Sequence, residues 1–167
     1  MIKSITLGVS YFLFALGSII AQGQSAKIVA IKCGRLIDGK SDGVQQNVTI
    51  LIEGNTIRKV GASLQIPAEA EIIDLTNATV LPGLIDCHTH VLLQGDITNQ
   101  DYDDQLLKES IPYRTIRGAV AAQAAMRHGF TTIRDVETEG AMYADVDIKK
   151  AINKGIIEGP QIGRAHV

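Results

Sequence analysis

The feature that most restricts the fold of this chain is the order of its segments after residue 83. An apolar run, LIDCHTH (84–90), is followed by a helix-forming stretch, a β-branched run and a second short helix-forming stretch. Ser110 is placed to cap the first helix with Pro112 in its opening turn, and Gly129 supplies a stop. Between them Ala119, Ala121, Ala122, Ala124 and Ala125 keep the side chains small enough for the helix to lie close to a sheet. FTTIRDVE (130–137) then reads as a strand rich in β-branched residues, and a second helix is expected near Asp147 to Lys154, closed by Gly155. Strand, helix, strand, helix is the order of parallel βαβ construction, so an α/β class is expected.

The preceding segment has a different rhythm. In VTILIEGNTIRKVG (48–61), Val48, Ile50 and Ile52 share one strand face by their period of two, and Gly54-Asn55 forms a two-residue turn into Ile57 and Val60. A hairpin is predicted there. EIIDL (71–75) and the run from Thr79 to Asp86 add further extended stretches, punctuated by Asn77 and by Pro82-Gly83. A small β-sheet unit is therefore expected ahead of the βα alternation. No internal repeat and no glycine-rich phosphate loop of the GxGxxG kind interrupts the chain.

LPGLIDCHTHV (81–91) places two of the four histidines one residue apart at the end of an apolar strand. If residues 84–90 are extended, Asp86, His88 and His90 project to one face and Cys87 and Thr89 to the other. Two neutral imidazoles at the C-terminal end of a parallel strand supply half of a zinc-type coordination shell. Asp86, one step deeper, either orients the site or makes a structural hydrogen bond. The two cysteines, Cys33 and Cys87, are too few for a disulfide framework and are expected to be small buried residues.

LPGLIDCHTHV resembles the first barrel strand of the metal-dependent amidohydrolase superfamily, whose pattern is Pro-Gly, an apolar pair, Asp and His-x-His. GRLIDG (34–39), the hairpin ILIEGNTIRKVG and the run IIDLTNATVLPGLID resemble the N-terminal part of its small composite β-sandwich domain. HGFTTIRDV (128–136) is similar to its second barrel strand. YADVDIKKAINKGIIEGPQI is similar to the approach to the third, as in the imidazolonepropionase-like and Xaa-Pro dipeptidase-like branch.

The resemblance implies the start of a metal-dependent (β/α)8 barrel after the β-domain, with His88 and His90 as ligands of one or two divalent ions, Zn2+ foremost. It also implies a lysine on the fourth strand, histidines on the fifth and sixth and a proton-shuttling aspartate on the eighth, none of which has a counterpart here. His128 instead reads as a helix C-terminal cap. The implied function is hydrolysis of carbon–nitrogen bonds in amides, cyclic amides or short peptides, of the dipeptidase or carboxypeptidase-like kind. A complete barrel takes ~250 residues, so the barrel is expected to be incomplete and this chain alone inactive. A non-catalytic fragment, or a β-domain whose histidine pair binds metal weakly, stands as the alternative.

Lys3 precedes the uncharged run SITLGVSYFLFALGSII and the small or polar residues AQGQSA, the order of a secretory signal peptide cut after Gly23. Export is expected, without a stable membrane anchor, since the run is diluted by Ser, Thr and Gly. Sixteen basic against eighteen acidic residues, with no long charge run, give no nucleic-acid footprint; the partner that the resemblance implies is a small-molecule or short-peptide substrate. The expected organisation is a signal peptide at 1–23, β-domain at 24–80 and barrel units at 81–161. The final IGRAHV (162–167) leaves the family pattern and can be encoded by a sequencing-adapter read ending in a stop codon, so it is expected to be non-native and His166 not a ligand.

Overall fold

The computed structural model describes residues 26–95 and 101–164. The expected signal peptide and the last three residues of the expected tail lie outside these.

Four strands, β1 (Ile28–Leu36), β2 (Gln45–Glu53), β3 (Thr56–Ala62) and β4 (Glu71–Val80), form one sheet in the order β3-β2-β1-β4. The predicted hairpin is β2 and β3, with Glu53 opposite Thr56 and Gly54 at φ 58° in the turn that needs it. β1 pairs antiparallel with β2 but parallel with β4. The β1–β4 ladder shifts between Cys33 and Arg35, whose partners are Leu75 and Thr79, so Thr76, Asn77 and Ala78 bulge opposite Gly34. A side chain at Gly34 would begin 2.0 Å from the Thr76 carbonyl oxygen, which is why glycine stands there. One face of this sheet is a core of Cys33, Leu36, Val48 and Ile50.

The second sheet is β5 (Leu84–Thr89), β6 (Phe130–Asp135) and β7 (Gln161–Arg164), parallel throughout and in chain order. β7 runs through Ile162, which is buried, and Gly163. Only Leu81, Pro82 and Gly83 separate β4 from β5.

Helices α1 (Asp101–Leu107) and α2 (Ile111–Arg127) lie between β5 and β6, and α3 (Ala144–Asn153) between β6 and β7. α2 begins as its sequence dictates: the Ser110 hydroxyl accepts the Tyr113 amide, and Pro112 sits in the first turn. It ends at His128, whose Nδ1 lies 2.8 Å from the Ala124 carbonyl oxygen, beside Gly129 at φ 94°.

The buried stripe of α2 is Arg114, Gly118 and Ala122, each four residues after the last. At Gly118 an added Cβ would stand 2.8 Å from Leu92 and 3.0 Å from the Val91 carbonyl, so the helix rides against the turn that follows β5. The core around it comprises Val91, Leu92, Ala122, Ile133, Ala144, Ile148 and Ile162. Among the described residues no helix is long and apolar enough to cross a membrane.

Cys33 is buried as expected, but Cys87 is exposed. It shares a strand face with Ile85, itself 65% exposed, and among the described residues nothing is packed over that face. The cysteine is small enough to be buried, yet its strand side is uncovered.

Candidate metal centre

β5 carries the histidine pair to the C-terminal edge of the parallel sheet. Its alternation is not regular: Asp86 pairs with Ile133 and Thr89 with Asp135, so Cys87 and His88 on β5 lie opposite Arg134 alone on β6. Such a bulge frees a backbone amide and re-aims the side chains around it. Asp86 Oδ1 takes up the His88 amide at 3.0 Å, so Asp86 makes the structural bond rather than touching either imidazole. Thr89 is stitched to β6 by its hydroxyl, donating to the Arg134 carbonyl at 3.1 Å, and by its own carbonyl, accepting from the Val136 amide at 3.0 Å.

His90 stands just past the strand, at the start of a tight turn. The Leu93 amide donates back to the His90 carbonyl, and the Val91 amide donates to Oδ1 of buried Asp135 at 2.9 Å. These bonds bring the two rings together despite the bulge. Their centroids are 5.3 Å apart at an interplanar angle of 55°, and the two Nε2 atoms are separated by 3.3 Å.

A tetrahedral ion of the zinc type sets the separation that two of its ligands must have. Two imidazole nitrogens, each ~2.0–2.1 Å from such an ion, stand about 3.3 Å apart. The observed separation matches that bite, so His88 and His90 fit as a pair of ligands. Among the described residues no group of three or more His, Cys, Asp or Glu side chains is placed to hold a metal, so the pair is two donors and no more.

Three further residues touch this site, and none was marked by the sequence. Glu139, in the loop after β6, places Oε1 3.3 Å from His90 Nδ1. The approach is close in distance but poorly aligned, so Nδ1 makes no full hydrogen bond. Tyr102, in α1, donates its hydroxyl to Glu139 Oε2 at 3.1 Å, and that bond and the adjacent charge push the phenol pKa up, which keeps it protonated. Arg114, buried in α2, donates from Nε to the Leu92 carbonyl at 3.3 Å and from Nη2 to the carbonyls of Thr138 and Glu139 at 3.2 and 2.9 Å. One guanidinium thus ties together the turns after β5 and β6.

His90, Leu93, Tyr102 and Glu139 line a cavity of about 330 Å3. A larger hollow of about 570 Å3 lies on the first sheet among Ile31, Ile50, Ile57 and Val80. Its lining is mostly apolar, with Asp38 and Lys40 also lining it, and no histidine lines it; the smaller cavity is the one beside the imidazoles.

The amidohydrolase family matches residues 79–165, more than half of the chain. An imidazolonepropionase from Idiomarina loihiensis is 38% identical over 76 residues, which is 44% of this chain and 19% of that protein. A dihydroorotase from Pelobacter propionicus is 31% identical over 103 residues, 62% of this chain and 20% of that one. The solved structure of a Xaa-Pro dipeptidase with methionine bound in its active site superposes with a TM-score of 0.70 at 33% identity, covering 83% of this chain and 33% of that one. The chain thus spans about a fifth of the length of these curated relatives and a third of the solved one.

Proposed function

This chain belongs to the amidohydrolase family, and from that premise we propose that it carries the His-x-His ligands of a hydrolase that cleaves carbon–nitrogen bonds with a divalent metal ion, Zn2+ foremost. The observation that carries the reading is the 3.3 Å separation of the His88 and His90 Nε2 atoms at the C-terminal edge of the parallel sheet. The second sheet is on this reading the opening of a (β/α)8 barrel, and the first is part of a composite β-domain.

A zinc-type ion, when bound, polarises a carbonyl and activates water near neutral pH. The part of this chain is to present two lone pairs in fixed directions. His88 and His90 supply them from Nε2, which requires each ring to carry its proton on Nδ1. The cavity beside His90 gives a substrate one apolar wall, Leu93, and one polar wall, Tyr102 and Glu139. Similarity to the Xaa-Pro dipeptidase over most of the chain, together with the signal-like N-terminus, supports an exported enzyme acting on short peptides.

Two imidazoles leave an ion mostly hydrated. The 167 residues alone are therefore expected to bind metal weakly and to hydrolyse nothing measurable. In the whole protein, His88→Ala and His90→Ala should each lower bound zinc, read by elemental analysis, together with dipeptide hydrolysis. Unchanged metal content in both variants overturns the assignment.

A further inference from the structure

We propose that Glu139 is a positioning residue for His90, fixing its proton on Nδ1 so that the Nε2 lone pair faces the metal position; this rests on the ligand reading above. Glu139 is held at that task by two residues, Arg114 and Tyr102. Its backbone sits at φ 49°, a left-handed conformation that a side-chain-bearing residue adopts at a cost and keeps only where its surroundings enforce it. The enforcing contacts are those of Arg114 to the Thr138 and Glu139 carbonyls. Its carboxylate is then oriented by the Tyr102 hydroxyl on Oε2, which leaves Oε1 turned toward His90 Nδ1.

The Glu139 side chain is 16% exposed and that of His90 30%, so water competes poorly for this contact. A carboxylate is an acceptor only, and an imidazole nitrogen facing it must carry the proton. The ring's other nitrogen is then a bare lone pair. Partners of this kind set the tautomer and direction of metal-binding histidines, and their removal typically weakens metal affinity 10–100-fold. The present distance of 3.3 Å and imperfect alignment leave room for the pair to tighten when Nε2 takes a ligand.

The neighbouring ring follows from the same proton count. With the His90 proton on Nδ1, the 3.3 Å contact between the two Nε2 atoms needs its one proton from His88. His88 is exposed, so it can pass that proton to water and place another on Nδ1 when an ion arrives. Of the two ligands, His90 is the preset one and His88 the adaptable one.

The test uses the full chain, labelled at the imidazole nitrogens, without metal and at a pH where free imidazole is neutral. The expected result is a single protonated nitrogen on His90, Nδ1, and a shift of the proton toward Nε2 in Glu139→Ala. Zn2+ affinity, from competition with a chromophoric chelator, should fall about 10–100-fold in that variant. Glu139→Gln, whose amide oxygen can still accept, should retain the Nδ1 proton and lose less affinity.

An unchanged tautomer in Glu139→Ala, or a ring protonated on both nitrogens in the parent, overturns the proposal. Should Glu139→Ala not fold, Tyr102→Phe decides, since it frees the carboxylate without touching the loop backbone. A mixed tautomer supports the role and an unchanged one refutes it. If His88→Ala and His90→Ala leave zinc binding intact, both readings fail; if they abolish it while Glu139→Ala changes nothing, only the positioning role fails.

Discussion

Replacing Arg114 by Met should loosen the turns that hold the histidine pair, and the size of the effect follows from the contacts. Arg and Met have nearly equal helix propensity, so the change leaves α2 intrinsically as stable as before. What is lost is the guanidinium fork: one bond of 3.3 Å to the Leu92 carbonyl and two, of 3.2 and 2.9 Å, to Thr138 and Glu139. The Thr138 carbonyl keeps the Ala141 amide at 3.1 Å, so its loss is partial.

Hydrogen bonds from charged donors contribute ~1.5–3 kcal/mol each, and the long distances here place two of the three at the low end. Against this, the variant no longer desolvates a cation, and the methionine stem fills part of the space. The net loss is about 2–4 kcal/mol. Urea unfolding of the full chain reads it directly, provided the denaturant slope is unchanged. Arg114→Lys should fall between, because a single ammonium cannot span the two turns as a planar fork does. A methionine variant within ~0.5 kcal/mol of the parent refutes the clamp, since surface substitutions commonly stay in that range.

Two further outcomes follow from the first sheet. Gly34→Ala should destabilise the chain by about 2–3 kcal/mol in the same unfolding assay, because its Cβ meets a backbone carbonyl rather than a movable side chain; a neutral result overturns the bulge geometry. Asp38 is held at a pKa of about 2, chiefly by the Ser41 and Lys40 amides, so its turn is stabilised above the ordinary carboxylate value of 3.8 and loses that support as pH falls toward about 2. The Lys40 and Ser41 amide resonances should titrate with a midpoint near 2, and a midpoint at the ordinary value removes the argument.

Much of this architecture was legible because local chemistry and tertiary structure agree. Gly54-Asn55 named the hairpin turn, and Ser110, Pro112 and Gly129 bracketed α2 almost to the residue. α3 starts at Ala144, ahead of the expected Asp147, because its cap is Tyr143, which makes no side-chain capping bond and carries no signal. α1 carries no signal in the sequence. Its seven residues are too few for a hydrophobic period, and it is docked by the amide of buried Gln105, whose Oε1 accepts from the Gln94 amide at 2.9 Å and from Arg117 at 2.7 Å.

At the site, the sequence named both histidines from strand parity, yet the bulge at residues 86–89 breaks that parity, and His90 lies beyond the strand. They converge through the turn and Asp135 instead. Tyr102, Arg114 and Glu139 could not be found from spacing. They lie on a helix, another helix and a loop, and only the fold brings them to His90.

The turn after His90 is gripped by its main chain: the Val91 amide by Asp135, the Leu92 carbonyl by Arg114, and the Leu93 amide by the carbonyl of His90. Holding the imidazoles and shaping the space beside them are thereby separated between different atoms. The Leu93 side chain faces the cavity but takes no part in the grip, so a change in its bulk alters what fits beside the ligands while leaving the ligands where they are. On the proposed reading, one position would then set the preference among substrates without disturbing the geometry of the metal ligands.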